Sequence, residues 1–153
     1  MAVFALDVEI TDEAAREIIP EGAVIEHLAT GFGFTEGPVW AGDSLLFSDI
    51  PMNRIVRWRP CPEGPQVTTF RFPSGNSNGL TFDRSGRLIA CEHSTRRLTL
   101  TEADGTIRVL ADRYQGKRLN SPNDVVVRSD GSTYFTDPPY GLANLTDWLG
   151  IRW

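Results

Sequence analysis

The feature that most constrains this chain is an internal repeat. Asn78-Gly79-Leu80-Thr81-Phe82-Asp83-Arg84-Ser85-Gly86 lies over Asn123-Asp124-Val125-Val126-Val127-Arg128-Ser129-Asp130-Gly131 at a constant offset of 45 residues. The runs that follow, Leu88-Ile89-Ala90-Cys91-Glu92 and Thr133-Tyr134-Phe135-Thr136-Asp137, keep that offset. An earlier copy, Glu36-Gly37-Pro38-Val39-Trp40 followed by Leu45-Leu46-Phe47-Ser48-Asp49, stands 42 residues before the second, with a one-residue gap before its second run. Units of this length, built from short strands, have the size of one blade of a β-propeller. The middle copy supports this, because its four strand-like runs are joined by Arg84-Ser85-Gly86, Ser94-Thr95-Arg96 and Asp104-Gly105. An Asp-Gly pair suits the twist of a hairpin turn.

The surrounding text agrees. Short β-rich runs occur at Val24–Leu28, Ser44–Ser48, Arg54–Trp58, Val67–Phe72, Leu80–Asp83, Leu88–Cys91, Leu98–Thr101 and Thr106–Leu110, separated by Gly, Pro, Asp and Asn. So many strands in so short a span leave no room for crossover helices. With 14 Gly and 10 Pro, the composition favours turns over long helices. One helix is written near the N-terminus, where Thr11 or Asp12 can cap a stretch that puts Ala15, Ile18 and Ile19 on one face before Pro20 ends it. The fold class is therefore all-β: an N-terminal segment 1–23 with a short helix, then an incomplete propeller over 24–153. Its blades fall at about 36–77, 78–122 and 123–153, two and a half to three in all. An open ring exposes strand faces, so the chain is expected to be incomplete or to complete itself by self-association.

Charge and motif content exclude several classes of function. Against 20 acidic residues stand 15 basic ones, a net charge of -5, the wrong sign for a nucleic-acid partner. No apolar run reaches the length of a membrane span, and Asp7 interrupts the opening apolar residues, so the expected location is cytoplasmic, with no membrane partner. Cys61 and Cys91 lack the spacing of a zinc or redox motif. Gly75-Asn76-Ser77-Asn78-Gly79 spells GxSxG but leads into the strand-like run at Leu80 rather than a helix, so it is no nucleophile elbow. There is no Walker loop, HExxH, or GxGxxG between strand and helix, which disfavours nucleophile-triad hydrolysis and leaves metal-assisted hydrolysis open.

In a propeller the innermost strand of each blade lines the central channel, so equivalent repeat positions converge on the axis. The first repeat position is Glu36, then Asn78, then Asn123, all oxygen donors of the kind that suits a hard divalent cation. Each residue alone can equally be turn chemistry; their equivalence under the repeat favours a site. A second equivalent set, Asp49, Glu92 and Asp137, stands at the ends of the second runs, where acids are commonly solvated. His93, beside Glu92 and near Arg96 and Arg97, can contribute to a polar rim for an anionic product or serve structure alone.

Several strings are specific: Glu36-Gly37-Pro38-Val39-Trp40, Phe47-Ser48-Asp49-Ile50-Pro51, Ala90-Cys91-Glu92-His93, Gly116-Lys117-Arg118-Leu119-Asn120-Ser121-Pro122-Asn123-Asp124-Val125-Val126-Val127, and Tyr134-Phe135-Thr136-Asp137-Pro138-Pro139-Tyr140-Gly141. From about residue 24 to 142 the chain resembles bacterial members of the SMP-30/gluconolactonase/luciferin-regenerating-enzyme family. The resemblance implies a six-bladed propeller about twice this length, of which this chain is the N-terminal half. It implies metal-dependent hydrolysis of a small sugar lactone, glucono-1,5-lactone to gluconate, with a divalent ion as cofactor, calcium first and zinc or magnesium as alternatives. By this resemblance Glu36 and Asn123 are metal ligands, Asn123 also meets the substrate, and Asn78, Glu92 and His93 are substrate-pocket candidates. The family's remaining ligands and its general base correspond to positions beyond Trp153, so no catalytic base is assigned. Two side-chain ligands predict weak metal binding by a monomer. The alternative is a non-catalytic propeller fragment that binds a ligand or associates with a second copy.

Overall fold

The computed structural model describes residues 2–5 and 9–142. The chain divides into two compact units, Met1–Gly31 and Phe32–Trp153. In the first, β1 (Ala2–Ala5) pairs antiparallel with β2 (Val24–His27), Ala2 opposite His27. The expected helix is a short 3-10 turn over Glu13–Glu17. Asp12 caps it by accepting the Ala14 N–H at 2.9 Å, but the turn buries no side chain and Ile18 is exposed. Without a face to bury, the amphipathic pattern has nothing to stabilise a longer helix. The unit boundary also lies later than position 23, because the first β-run is used by β1.

From Phe32 onward the repeat becomes blades. The first is a four-stranded meander of β3 (Thr35–Trp40), β4 (Leu45–Asp49), β5 (Arg54–Arg59) and β6 (Gln66–Arg71). The second is a meander of β7 (Ser77–Phe82), β8 (Leu88–Glu92), β9 (Arg97–Thr101) and β10 (Ile107–Ala111). A small hairpin follows, β11 (Arg113–Tyr114) with β12 (Lys117–Arg118), turning at Gln115 and Gly116, both at positive φ. β13 (Val125–Val127) and β14 (Thr133–Phe135) then form the first hairpin of the third copy. Residues 143–153, the end of the third expected blade, lie outside the described residues.

The core is two apolar layers between consecutive blades. Leu46 and Ile55 of the first blade pack on Leu80, Leu88 and Ala90 of the second. Ile89, Cys91, Leu98 and Leu100 of the second pack on Val125 of the third, with Val127 and Phe135 at the margin. Strand β8 shows why its sequence is continuously apolar. Side chains alternate across a strand, so Leu88 and Ala90 face the first blade while Ile89 and Cys91 face the third. Each fully buried Leu or Ile contributes about 2 kcal/mol through removal of apolar surface from water.

Candidate functional site

The innermost strands carry the same irregularity. In the first blade Glu36 pairs with Ser48 and Val39 with Leu46, so one extra residue is accommodated on β3. In the second, Ser77 pairs with Glu92 and Leu80 with Ala90, the same excess on β7. A bulge of this kind breaks the ladder and re-aims side chains. Here it falls where the repeat places Glu36 and Asn78. In the third copy the Asn123 N–H donates to Thr136 O at 2.9 Å, and the Thr136 N–H donates to Asp124 O at 3.0 Å.

The starts of these strands lie side by side. A Cβ added to Gly37, whose φ is +56°, would stand 2.2 Å from Asn78 O. One added to Gly79 would stand 2.5 Å from Asn123 O, and the Gly79 N–H donates to that oxygen at 2.7 Å. Backbone approach this close explains Glu-Gly and Asn-Gly at successive repeats, since any side chain would separate the blades. Ser48, fully buried on β4, adds to the seam by donating through Oγ to Asn78 O at 2.8 Å. The structure thus brings the backbones of the first-position residues together.

Their side chains differ in setting. Glu36 is exposed, and its carboxylate accepts the Gly37 N–H at 3.3 Å. Asn78 is buried, with Nδ2 3.3 Å from Nε2 of His93. Asn123 is half-buried, and its side chain makes no hydrogen bond among the described residues. Because the strands of a meander alternate in direction, these strand starts share one end of the sheets with the β4–β5, β6–β7 and β8–β9 loops. His93 stands in the last of these loops. A groove lined by Ile10, Arg16, Ile19 and Pro20 belongs to the N-terminal unit and contains none of these residues.

Two of the strand-end acids, Asp49 and Glu92, are not solvated, contrary to expectation. Asp49 is 0% exposed and accepts from Gly33 N at 3.0 Å and from the Arg54 guanidinium at 2.9 and 3.1 Å. Glu92 is also 0% exposed. One of its oxygens takes Arg71 at 2.5 Å and Thr99 at 2.8 Å; the other takes Arg97 at 2.7 Å and Thr95. Burial alone would raise the Glu92 pKa, but the hydrogen bonds from Thr95, Arg97 and Thr99 and the Arg71 charge hold it below the usual carboxylate value. As a substrate-pocket candidate Glu92 has no oxygen left to offer; it joins the blades, because Arg71 reaches it from β6. A spacing signal for this lay unused in the sequence. Asp49 pairs across its hairpin with Arg54, and Glu92 with Arg97, so an acid and an arginine five positions on recur in both blades. Asp137 accepts the Asn120 N–H at 2.8 Å and ties the preceding loop in the third copy.

Residues 34–147 match the family model described as the SMP-30/Gluconolactonase/LRE-like region. A gluconolactonase of Zymomonas mobilis is 37% identical over 146 residues, which cover 85% of this chain and 40% of that protein. The structure of a gluconolactonase from Xanthomonas campestris superposes with a TM-score of 0.81 at 35% identity, over 95% of this chain and 50% of that one. Virginiamycin B lyase from Staphylococcus aureus, with a TM-score of 0.55 at 21% identity over 77% of this chain and 40% of that one, shares the fold alone. The chain spans about half the length of the relatives it matches, or less. Its repeat, its partial propeller and the match over residues 34–147 together place it in the SMP-30/gluconolactonase/LRE-like family.

Proposed function

We propose that this chain supplies part of a lactonase site, built on Glu36, Asn78 and Asn123, for hydrolysis of a sugar lactone such as glucono-1,5-lactone to gluconate. One observation carries the reading: three successive repeats begin with an oxygen-bearing side chain on inner strands whose backbones touch. The relatives named gluconolactonase support the substrate class.

One carboxylate and two amides are hard oxygen donors, suited to calcium or magnesium more than to zinc. Among the described residues no group of three or more His, Cys, Asp or Glu gathers for a metal, so this chain's share of a cation shell is small. A divalent cation, when bound, would supply Lewis acidity toward the lactone carbonyl. Glu36 is the exposed carboxylate that would anchor it, and the unengaged Asn123 amide would ligate it or orient a substrate hydroxyl. Asn78, backed by His93, offers a fixed polar group to the substrate. Glucono-1,5-lactone hydrolysis followed in a pH-stat with and without calcium tests the proposal. Glu36→Gln is expected to weaken the calcium dependence at least about tenfold; hydrolysis that ignores both calcium and this substitution refutes it.

A second reading, association with another copy of this chain, is favoured by the outer face of the third hairpin. Cross-strand partners Val126 and Tyr134 are 59% and 55% exposed there. Sedimentation that finds monomer alone at high concentration excludes it.

A further inference from the structure

His93 is 6% exposed, yet its Nδ1 is buried without a hydrogen-bond partner among the described residues. Such an orphaned group needs a reason. The ring is clamped: a Cβ added to Gly141 would fall 2.5 Å from both Cγ and Nδ1 of His93 and 2.8 Å from Cβ of Ser121. Ser121 is itself fixed, donating to Pro138 O at 2.5 Å and accepting the Gly141 N–H at 2.9 Å. The ring therefore has little freedom to turn, and its other nitrogen meets the amide of Asn78.

We propose that His93 is a positioning residue that holds the Asn78 amide nitrogen inward, leaving the amide oxygen to receive a hydroxyl of the ligand at the strand starts shared with Glu36 and Asn123. The inference rests on the lactonase reading for its ligand but not for its geometry. Nδ2 of Asn78 facing Nε2 of His93 makes a hydrogen bond when Nε2 is bare and accepts, since two N–H groups repel each other. The imidazole is then neutral with its proton on Nδ1, the atom pressed against Gly141. Burial lowers the His93 pKa and favours that neutral form. The amide of an unsupported Asn could turn either face outward; here one orientation is selected before ligand arrives. It also follows why Pro138-Pro139-Tyr140 ends in glycine: a side chain at 141 would displace the imidazole and release Asn78.

The test uses nitrogen-15-labelled chain, first without ligand. Long-range proton–nitrogen spectra are expected to show the Nδ1-protonated tautomer of His93. The Asn78 amide protons are expected to be distinct and slowly exchanging in the wild type and in His93→Gln, which keeps an acceptor. In His93→Leu they are expected to exchange rapidly with solvent and to lose the downfield shift of a hydrogen-bonded proton, while the backbone amide signals stay in place. An Nε2-protonated His93, or an Asn78 amide unchanged by His93→Leu, overturns the proposal. Sodium gluconate with calcium chloride is then titrated. Binding is expected to weaken about fivefold in His93→Leu, the worth of one oriented hydrogen bond, and to recover in His93→Gln. If the ligand-free spectra are as expected but gluconate perturbs nothing in the wild type, the lactonase reading fails while the positioning of Asn78 stands.

Discussion

Replacing Gly79 by alanine tests the close approach of inner strands on which the site depends. The new Cβ would sit 2.5 Å from Asn123 O, 2.7 Å from Asp124 Cα and 3.0 Å from Asp124 Oδ1. Two of these three atoms are backbone and cannot swing aside. Gly79 is not among the positive-φ glycines, so alanine meets no conformational strain there. Forcing a methyl group into a packed seam costs about 1–3 kcal/mol, and stretching the 2.7 Å bond from Gly79 N–H to Asn123 O adds about 1 kcal/mol. Reduced freedom of the unfolded chain returns about 0.5 kcal/mol. The net destabilisation is then about 1.5–3.5 kcal/mol, a fall of about 1–2 M in the urea midpoint at the slopes usual for small domains. Gly86→Ala is the control. It has nothing within 4 Å but a φ of +77°, so it carries the left-handed penalty alone, about 1 kcal/mol. Urea unfolding followed by the fluorescence of buried Trp58 measures both. If Gly79→Ala is no more destabilising than Gly86→Ala, the inner strands are not in contact and the convergence of Glu36, Asn78 and Asn123 is lost.

Three further outcomes are expected. Since the folded-state pKa of Glu92 lies below its unfolded value, its stabilisation is complete above the unfolded carboxylate pKa of about 4.3 and is lost as pH falls through the folded value. Glu92→Gln should cost about 3 kcal/mol at neutral pH and flatten the acid limb of stability against pH; an unchanged limb refutes the role given to this carboxylate. Burial, with Asp124 and Asp137 nearby, pushes the Cys91 thiol pKa well up, so a thiol reagent should modify half-exposed Cys61 in the native chain and Cys91 after unfolding. Early labelling of Cys91 would mean that the layer between the second and third blades opens readily. Calorimetric titration with calcium should show weak binding by the monomer, because Glu36 is the one carboxylate among the three first-position residues; submicromolar affinity would contradict this.

Repetition was legible in the residues because it is a one-dimensional property: the offset of 45 between Asn78 and Asn123 needs no coordinates. Alternation and turn chemistry likewise marked the strands of the first two blades. The N-terminal helix misled because its pattern has the spacing of an amphipathic face, whereas only tertiary packing decides whether such a face is buried. Strand β1 had no signal of its own, since its partner β2 stands some twenty residues away in the sequence.

At the site the division is similar. Sequence alone aligned Glu36 with Asn78 and Asn123, and it aligned Asp49, Glu92 and Asp137 in the same way, favouring a site at the first set and leaving the second as strand-end acids of the kind commonly solvated. Tertiary structure separated them. Arg71 comes to Glu92 from another blade, 21 residues away, and consumes an oxygen that spacing left free. Gly141 comes to His93 across a still longer stretch and fixes the ring that holds Asn78. A repeat determines which residues are equivalent; which of them keep an open valence depends on neighbours delivered by the winding of the sheets, and those contacts are non-local.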